Sequence, residues 1–168
     1  MFNLFKKKKE TPVESIEVTQ NQVREEVNSA ENNGHLFLFT SHVGQQDLKN
    51  ALVNFEIVER EKAIEIPSVK MKIKDGDYYF LKQREGMLNF YSMLINPEYI
   101  DVHSKFLMHL SSCVKGYEIH YEDEALMTPL VNDLVEHLNG LIFLTSMEFY
   151  TKDWQLIIDS SGGCDLTN

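Results

Sequence analysis

Two segments of the chain alternate between apolar and polar residues, and this alternation constrains the fold more than any other feature. Residues 69–74 read Val-Lys-Met-Lys-Ile-Lys, and residues 117–122 read Tyr-Glu-Ile-His-Tyr-Glu. Successive side chains of a β-strand point to opposite faces, so each segment has one apolar and one polar face. Antiparallel sheets often expose one face to water, whereas parallel sheets are buried on both. The chain is therefore predicted to contain an antiparallel sheet with a row of lysines on a polar face.

Apolar residues elsewhere follow helical spacing or form short buried runs. Leu48, Ala51, Leu52 and Phe55 recur at intervals of three and four residues, which is typical of one helix face. Similar stripes predict three more helices, at residues 84–95, 96–113 and 130–138. Short apolar or alternating runs predict further strands at residues 35–40, 57–66, 141–145 and 148–158. We predict an α+β fold with an antiparallel sheet covered by helices. The order of elements suggests two β-α-β-β type units flanking a two-helix insert.

Glycine, proline and capping residues predict where the elements begin and end. Asp75-Gly76 is typical of a two-residue hairpin turn with positive φ at both residues, so a second strand is predicted over residues 77–82. Ser41 is predicted to be the N-cap of a helix, and two further helices are predicted to begin at Asn96-Pro97 and Thr128-Pro129. Helices are predicted to end at Gly116 and at Asn139-Gly140.

The length of 168 residues fits one domain with polar segments at its ends. Residues 1–33 carry four consecutive lysines at positions 6–9 and few apolar residues, so they are predicted to be a flexible polar leader. The folded domain is predicted at residues 34–160 and a flexible C-terminal tail at residues 161–168.

Charge narrows the classes of partner. The chain holds 16 Lys and Arg against 26 Asp and Glu, which gives a net charge of −10. A negative body repels polyphosphate, so nucleic-acid binding is not expected, whereas a basic protein partner is. The longest apolar runs hold four residues, such as residues 36–39, against about 20 in a membrane-spanning helix, so no stable membrane insertion is expected. Two cysteines cannot build a disulfide framework, and reduced thiols in the cytoplasm are the simpler interpretation.

Glu118, His120 and Glu122 form the pattern with the most chemical potential. Alternate residues of a strand lie about 7 Å apart on one face, so two carboxylates and an imidazole would line up there. Such a set is compatible with part of a divalent-metal or acid–base site. The commoner interpretation is a solvated strand face whose residues form ion pairs with the lysine row across the sheet. No catalytic residue and no cofactor is assigned.

Ser41 and His42 are a weaker candidate site. They lie between a predicted strand and a helix N-terminus, where free backbone N–H groups can bind anions. Simple helix capping is the alternative interpretation.

Two pairs of residues lie one helical turn apart and are compatible with metal binding by spacing alone. Cys113 continues the apolar stripe of its helix, so the pair His109 and Cys113 is interpreted as structural, with a buried thiol. Asp133 and His137 are interpreted as an ordinary solvated pair on an outward face.

A segment near the C-terminus, less than a quarter of the chain, carries a resemblance. Residues 130–166 contain a helix, a hydrophobic strand, a short hairpin and the sequence Asp-Ser-Ser-Gly. This order resembles that of uncharacterised bacterial domain families. The resemblance implies shared structure and carries no activity or catalytic residue.

Two functions follow as expectations. The first is a non-enzymatic binding or regulatory module, such as an immunity-like protein, whose acidic surface speeds its encounter with a basic partner. The alternative is a small metal-binding enzyme with a site around Glu118, His120 and Glu122.

Overall fold

A computed structural model describes residues 34–42 and 44–166, with residues 77–82 described by their backbone alone. The described residues form eight strands and four α-helices. The strands are β1 (Gly34–Thr40), β2 (Val58–Arg60), β3 (Ala63–Ile66), β4 (Met71–Asp75), β5 (Lys115–Tyr121), β6 (Gly140–Leu144), β7 (Glu148–Tyr150) and β8 (Leu156–Ile158). The helices are α1 (Gln45–Ala51), α2 (Asp77–Ser92), α3 (Ile100–Ser112) and α4 (Glu124–His137).

All eight strands join one antiparallel sheet in the order β2-β3-β4-β5-β1-β6-β7-β8. The predicted α+β fold with an antiparallel sheet is confirmed. The strands on either side of the two-helix insert share this sheet, but they run through it differently. In the first group β1 lies at the centre of the sheet, and β2 to β4 run from the outer edge inward. In the second group β5 lies at the centre, and β6 to β8 run outward to the other edge. The central pair, β5 and β1, therefore joins the two groups.

The sheet separates two hydrophobic cores. Strand β1 supplies both, since Leu36 and Leu38 pack on one face and Phe37 and Phe39 on the other. Helices α1 and α4 cover the first face, and α2 and α3 cover the second. A strand buried on both faces has no polar side, which explains the unbroken apolar run of β1.

Part of the second face is polar. In the apolar part, phenylalanines from β1, β6 and β7 pack against α2 and α3. Apart from Ala63, the side chains on this face from β3, β4 and β5 are charged or imidazole groups that remain partly exposed: Glu65, Lys72, Lys74, Glu118 and His120. The strands whose sequences alternate are therefore those whose side chains on the second face are exposed to solvent.

The strand predicted over residues 77–82 is wrong, because these residues begin helix α2. Gly76 has a φ of −103°, so it forms no turn of positive φ. Its N–H donates to the carbonyl of Gly116 at 2.9 Å. A Cβ at Gly76 would lie 3.1–3.3 Å from backbone atoms of β5. Glycine is needed here because the chain passes close to β5, and not because the backbone reverses in a hairpin.

The prediction that Thr128-Pro129 begins a helix is also wrong, since α4 begins at Glu124. The Asp123 carboxylate caps it by accepting hydrogen bonds from the N–H groups of Ala125 and Leu126 at 2.9 and 3.2 Å. Pro129 lies inside the helix and cannot donate to the carbonyl four residues earlier. That carbonyl belongs to the exposed residue Ala125, where water can satisfy it.

Four other predicted boundaries have mixed outcomes. Ser41 does not cap a helix, because the N-cap of α1 is Gly44 and no side chain caps it. Gly116 lies within β5, and α3 has already ended at Ser112. The prediction for Asn96 is confirmed in part: its side chain accepts from the N–H of Glu98 at 2.9 Å, and a short 3-10 turn precedes α3. Asn139 ends α4 as predicted, with a φ of 45°.

The folded unit extends beyond residue 160. The N–H of Asp165 donates to the carbonyl of Leu156 at 3.0 Å, and Leu166 packs against the second core. The predicted leader, residues 1–33, lies outside the described residues. In the part of the chain that is described, no helix has the length and apolar character needed to cross a membrane.

Candidate metal centre

The three residues predicted on the polar face of β5 do not stay together. Glu118 and His120 lie side by side within the strand, and the imidazole Nε2 of His120 is 2.9 Å from the Glu118 Oε1 atom. Glu122 falls beyond the end of β5, and its carboxylate lies 3.5 Å from the ammonium of Lys70. Glu122 is therefore part of an exposed ion pair at the margin of the sheet, as one interpretation of the sequence expected.

The third residue beside Glu118 and His120 is His35, and not the predicted Glu122. His35 lies on β1 directly opposite His120 on β5, and the two imidazole rings stack with centroids 4.6 Å apart. His35 has the same strand parity as Phe37 and Phe39, so it points to the second face of the sheet. Its ring also lies 4.8 Å from the ring of Phe37. The pairing register of β1 and β5 thus places two histidines at the margin of the second core.

Both imidazoles converge on one carboxylate oxygen. His35 Nε2 lies 3.0 Å from the same Glu118 Oε1 atom that His120 approaches. Despite this short distance, His35 Nε2 is enclosed and makes no hydrogen bond among the described residues. The two atoms are therefore close together but do not have the geometry of a hydrogen bond. The lone pair or proton on His35 Nε2 has no hydrogen-bond partner among the described residues. We call His35, Glu118 and His120 the His-Glu-His cluster.

The surroundings of His120 favour a neutral imidazole. Burial lowers the pKa of His120, and the nearby ammonium of Lys74 lowers it further, although the Glu118 carboxylate by itself raises the pKa of His120. Neutral imidazole is the form that binds metal ions. About a third of each side chain in the cluster remains exposed, so the cluster is open to solvent on one side.

The donor set matches that of a divalent-metal site. The two nitrogens and the carboxylate oxygen lie within 4.8 Å of one another. Donors about 2.1 Å from a common ion are separated by roughly 3.4 Å in a tetrahedral site. The distances of 3.0 and 2.9 Å from the two imidazole nitrogens to Glu118 Oε1 are close to that value. Two imidazoles and one carboxylate form the ligand set of several catalytic zinc and iron centres, which leave further positions open.

The candidates Ser41 and His42 lie far from this cluster. They follow the other end of β1, about 20 Å away along the strand. The N–H of His42 donates to the hydroxyl of Thr40 at 3.0 Å, and its Nδ1 atom lies 3.7 Å from the Asp47 carboxylate. His42 therefore contacts its near neighbours in sequence, Thr40 at the end of β1 and Asp47 in the first turn of α1.

The two helical pairs behave as structural features. Cys113 is fully buried, and burial raises the pKa of its thiol to about 12, which disfavours the thiolate that metals and electrophiles require. His109 Nε2 contacts the carbonyl of Asn139 at 2.8 Å. His137 Nδ1 contacts the backbone carbonyl of Asp133 at 2.8 Å, and both residues are exposed.

No protein-family model, no curated protein and no solved structure matches the chain. No residue role is therefore carried over from a relative.

Proposed function

We propose that this protein binds a divalent transition-metal ion through His35, Glu118 and His120. The observation that carries the proposal is the convergence of two imidazole nitrogens, from two different strands, on one carboxylate oxygen. An ordinary solvated sheet face pairs its acids with lysines, as Glu65 does with Lys72 and Glu122 with Lys70. Glu118 instead faces two histidines, one of which has no hydrogen bond at its Nε2 atom within the described chain.

The donor types indicate the class of metal. Imidazole nitrogen suits Zn²⁺, Cu²⁺, Ni²⁺ and Fe²⁺, whereas Mg²⁺ and Ca²⁺ prefer sites built from oxygen. Three protein donors leave at least one coordination position for water or another ligand. The cluster is therefore proposed as a late transition-metal site that stays accessible to a further ligand.

Calorimetric titration of the purified full chain with Zn²⁺ tests the proposal. Wild-type protein is expected to bind one ion at this site, and His35→Ala, Glu118→Gln and His120→Ala are each expected to weaken binding at least tenfold. Mg²⁺ is expected to produce no saturable signal. Co²⁺ provides a second readout, because its visible absorption reports the geometry of the donor set.

Glu122→Gln is the matched control, since it removes a carboxylate from the same strand end without touching the cluster. Its Zn²⁺ affinity is expected to equal that of the wild type. Equal affinity in the wild type and all three cluster variants would overturn the proposal. A loss in Glu122→Gln but not in His35→Ala would move the site to the residues that the sequence alone suggested.

A second function, recognition of a basic protein partner, is favoured by the charge of the folded unit. Residues 34–168 hold 11 Lys and Arg against 20 Asp and Glu, a net charge of −9. Such a surface accelerates encounter with a cationic protein, and salt screens this attraction. Affinity capture at 50 mM and 500 mM NaCl is expected to recover a basic protein only at low salt. Recovery that does not depend on salt would contradict an electrostatic mode of binding.

A further inference from the structure

The His-Glu-His cluster has two lysines as direct neighbours in the sheet. In the ladder between β4 and β5, Lys72 is the partner of His120, and Lys74 is the partner of Glu118. Paired residues of an antiparallel ladder point to the same face, with Cβ atoms about 5 Å apart. Both ammonium groups therefore belong to the same polar face as the three proposed metal ligands.

The two lysines differ in how their charges are balanced. The ammonium of Lys72 lies 3.2 Å from the carboxylate of Glu65. Among the side chains that the structure describes, no carboxylate forms an ion pair with Lys74. Lys74 is the ladder partner of Glu118, so its positive charge belongs to the immediate surroundings of the cluster.

A metal ion alone would leave this face with excess positive charge. A divalent ion bound by one carboxylate and two neutral imidazoles has a net charge of +1, and Lys74 adds another. Like charges on neighbouring groups repel one another, and an anion in an open coordination position would offset both the charge of the metal and that of Lys74. The positions left open by three protein ligands provide the place for such an anion.

We infer that the metal site takes an anionic oxygen ligand, a carboxylate or a phosphate, with one oxygen on the metal and another on the ammonium of Lys74. This inference rests on the proposed function, because it requires the metal. It makes Lys74 a positioning residue for the second ligand, and it gives the site a selectivity for anions over neutral donors. By thermodynamic linkage, the anion strengthens metal binding by the same factor by which the metal strengthens anion binding.

The experiment measures Zn²⁺ affinity, by competition with a chromophoric chelator, in the presence of acetate, inorganic phosphate or perchlorate at equal ionic strength. Acetate or phosphate is expected to raise the Zn²⁺ affinity of wild-type protein by about tenfold, and perchlorate is not. The visible spectrum of the Co²⁺-loaded protein is expected to shift with the same anions. The acetate and phosphate arms show which class of oxyanion the site prefers.

Lys74→Gln separates this inference from the proposed function. The variant is expected to bind Zn²⁺ alone more tightly than wild type, because one positive charge is gone, and to lose the increase caused by the anion. Lys70→Gln is the matched control, since it removes an equal charge from a lysine that pairs with Glu122 outside the cluster. It is expected to behave like wild type.

The outcomes are distinct. Zn²⁺ binding that is unaffected by anions and by Lys74→Gln would overturn the inference and leave the proposed metal site standing. An anion effect that persists in Lys74→Gln would also overturn the role of Lys74. Failure of wild-type protein to bind Zn²⁺ under any condition would overturn the proposed function itself.

Discussion

Cys113 and Cys164 have different surroundings, and their reactivity should differ accordingly. Cys113 is fully buried in the second core, whereas Cys164 is partly exposed. Burial keeps disulfide reagents away from Cys113. It also raises the pKa of the thiol to about 12, so the thiolate that reacts with such reagents is scarce at neutral pH. Native protein treated with a chromogenic disulfide reagent is expected to release one equivalent, and a second only in guanidinium. Cys164→Ser should abolish the native signal, and a fast native reaction of both thiols would contradict this assignment.

His103 makes the stability of the fold sensitive to pH. It is fully buried, and its Nδ1 atom accepts a hydrogen bond from the N–H of Asn96 at 3.2 Å. Burial lowers the pKa of His103 below its usual 6.5. The unfolded chain therefore binds a proton at His103 more readily than the folded chain does. The contribution of neutral His103 to the free energy of unfolding is present above about pH 6.5 and is lost as the pH falls below that value.

Urea unfolding between pH 7.5 and pH 5 measures this contribution when wild type is compared with His103→Gln. The Gln variant cannot titrate at this position, so the difference in unfolding free energy between the two proteins isolates His103 from the other histidines. That difference is expected to shift in favour of the variant as the pH falls. A difference that stays constant over the range would show that His103 titrates equally in both states.

Alternation and periodicity in the sequence predict which faces of the strands and helices are buried. Strands β4 and β5 alternate, and their polar and apolar faces lie where the pattern placed them. Residues 77–82 show no such alternation, and their aromatic and apolar types suit a strand or a helix equally. The Asp75-Gly76 pair decided the prediction, and it did so wrongly because glycine is also required where two backbones approach closely.

Two glycines of the α2 region test this explanation. Gly86 lies inside α2 with no atom within 4 Å of the position of a Cβ, whereas a Cβ at Gly76 would meet the backbone of β5. Gly86→Ala is expected to raise the free energy of unfolding by about 0.5–1 kcal/mol, because alanine restricts the unfolded chain and favours helix. Gly76→Ala is expected to lower it, since backbone atoms of β5 cannot move aside without breaking the ladder. Urea unfolding of both variants measures the effects, and stabilisation by Gly76→Ala would contradict the close approach.

The His-Glu-His cluster depends on contacts between strands that are distant in sequence, and no local sequence pattern reports such contacts. Glu118 and His120 were predicted from the alternation of one strand, but His35 lies more than 80 residues earlier in the chain. Its place beside His120 follows from the order β5-β1 and from the register of that pair, which are set by the packing of both cores. The available signal was a polar residue with the parity of Phe37 and Phe39 at the start of an otherwise apolar strand. Glu122 was included because the alternation runs one residue past the end of β5.

Metal binding at the cluster should stabilise the entire folded unit. The proposed ligands come from β1 and β5, the central pair that joins the two groups of strands, so a bound ion would tie together the part of the sheet on which both cores depend. An ion that binds only the folded state adds about 2.7 kcal/mol at a free concentration of 100 times Kd. For a unit of this size, that corresponds to a rise in Tm of about 10 °C. Thermal unfolding followed by circular dichroism with and without Zn²⁺ measures the rise, which His35→Ala should abolish and Glu122→Gln should retain. An equal rise in all three proteins would mean that Zn²⁺ acts elsewhere on the chain, and the assignment of the site to the β1–β5 pair would then fail.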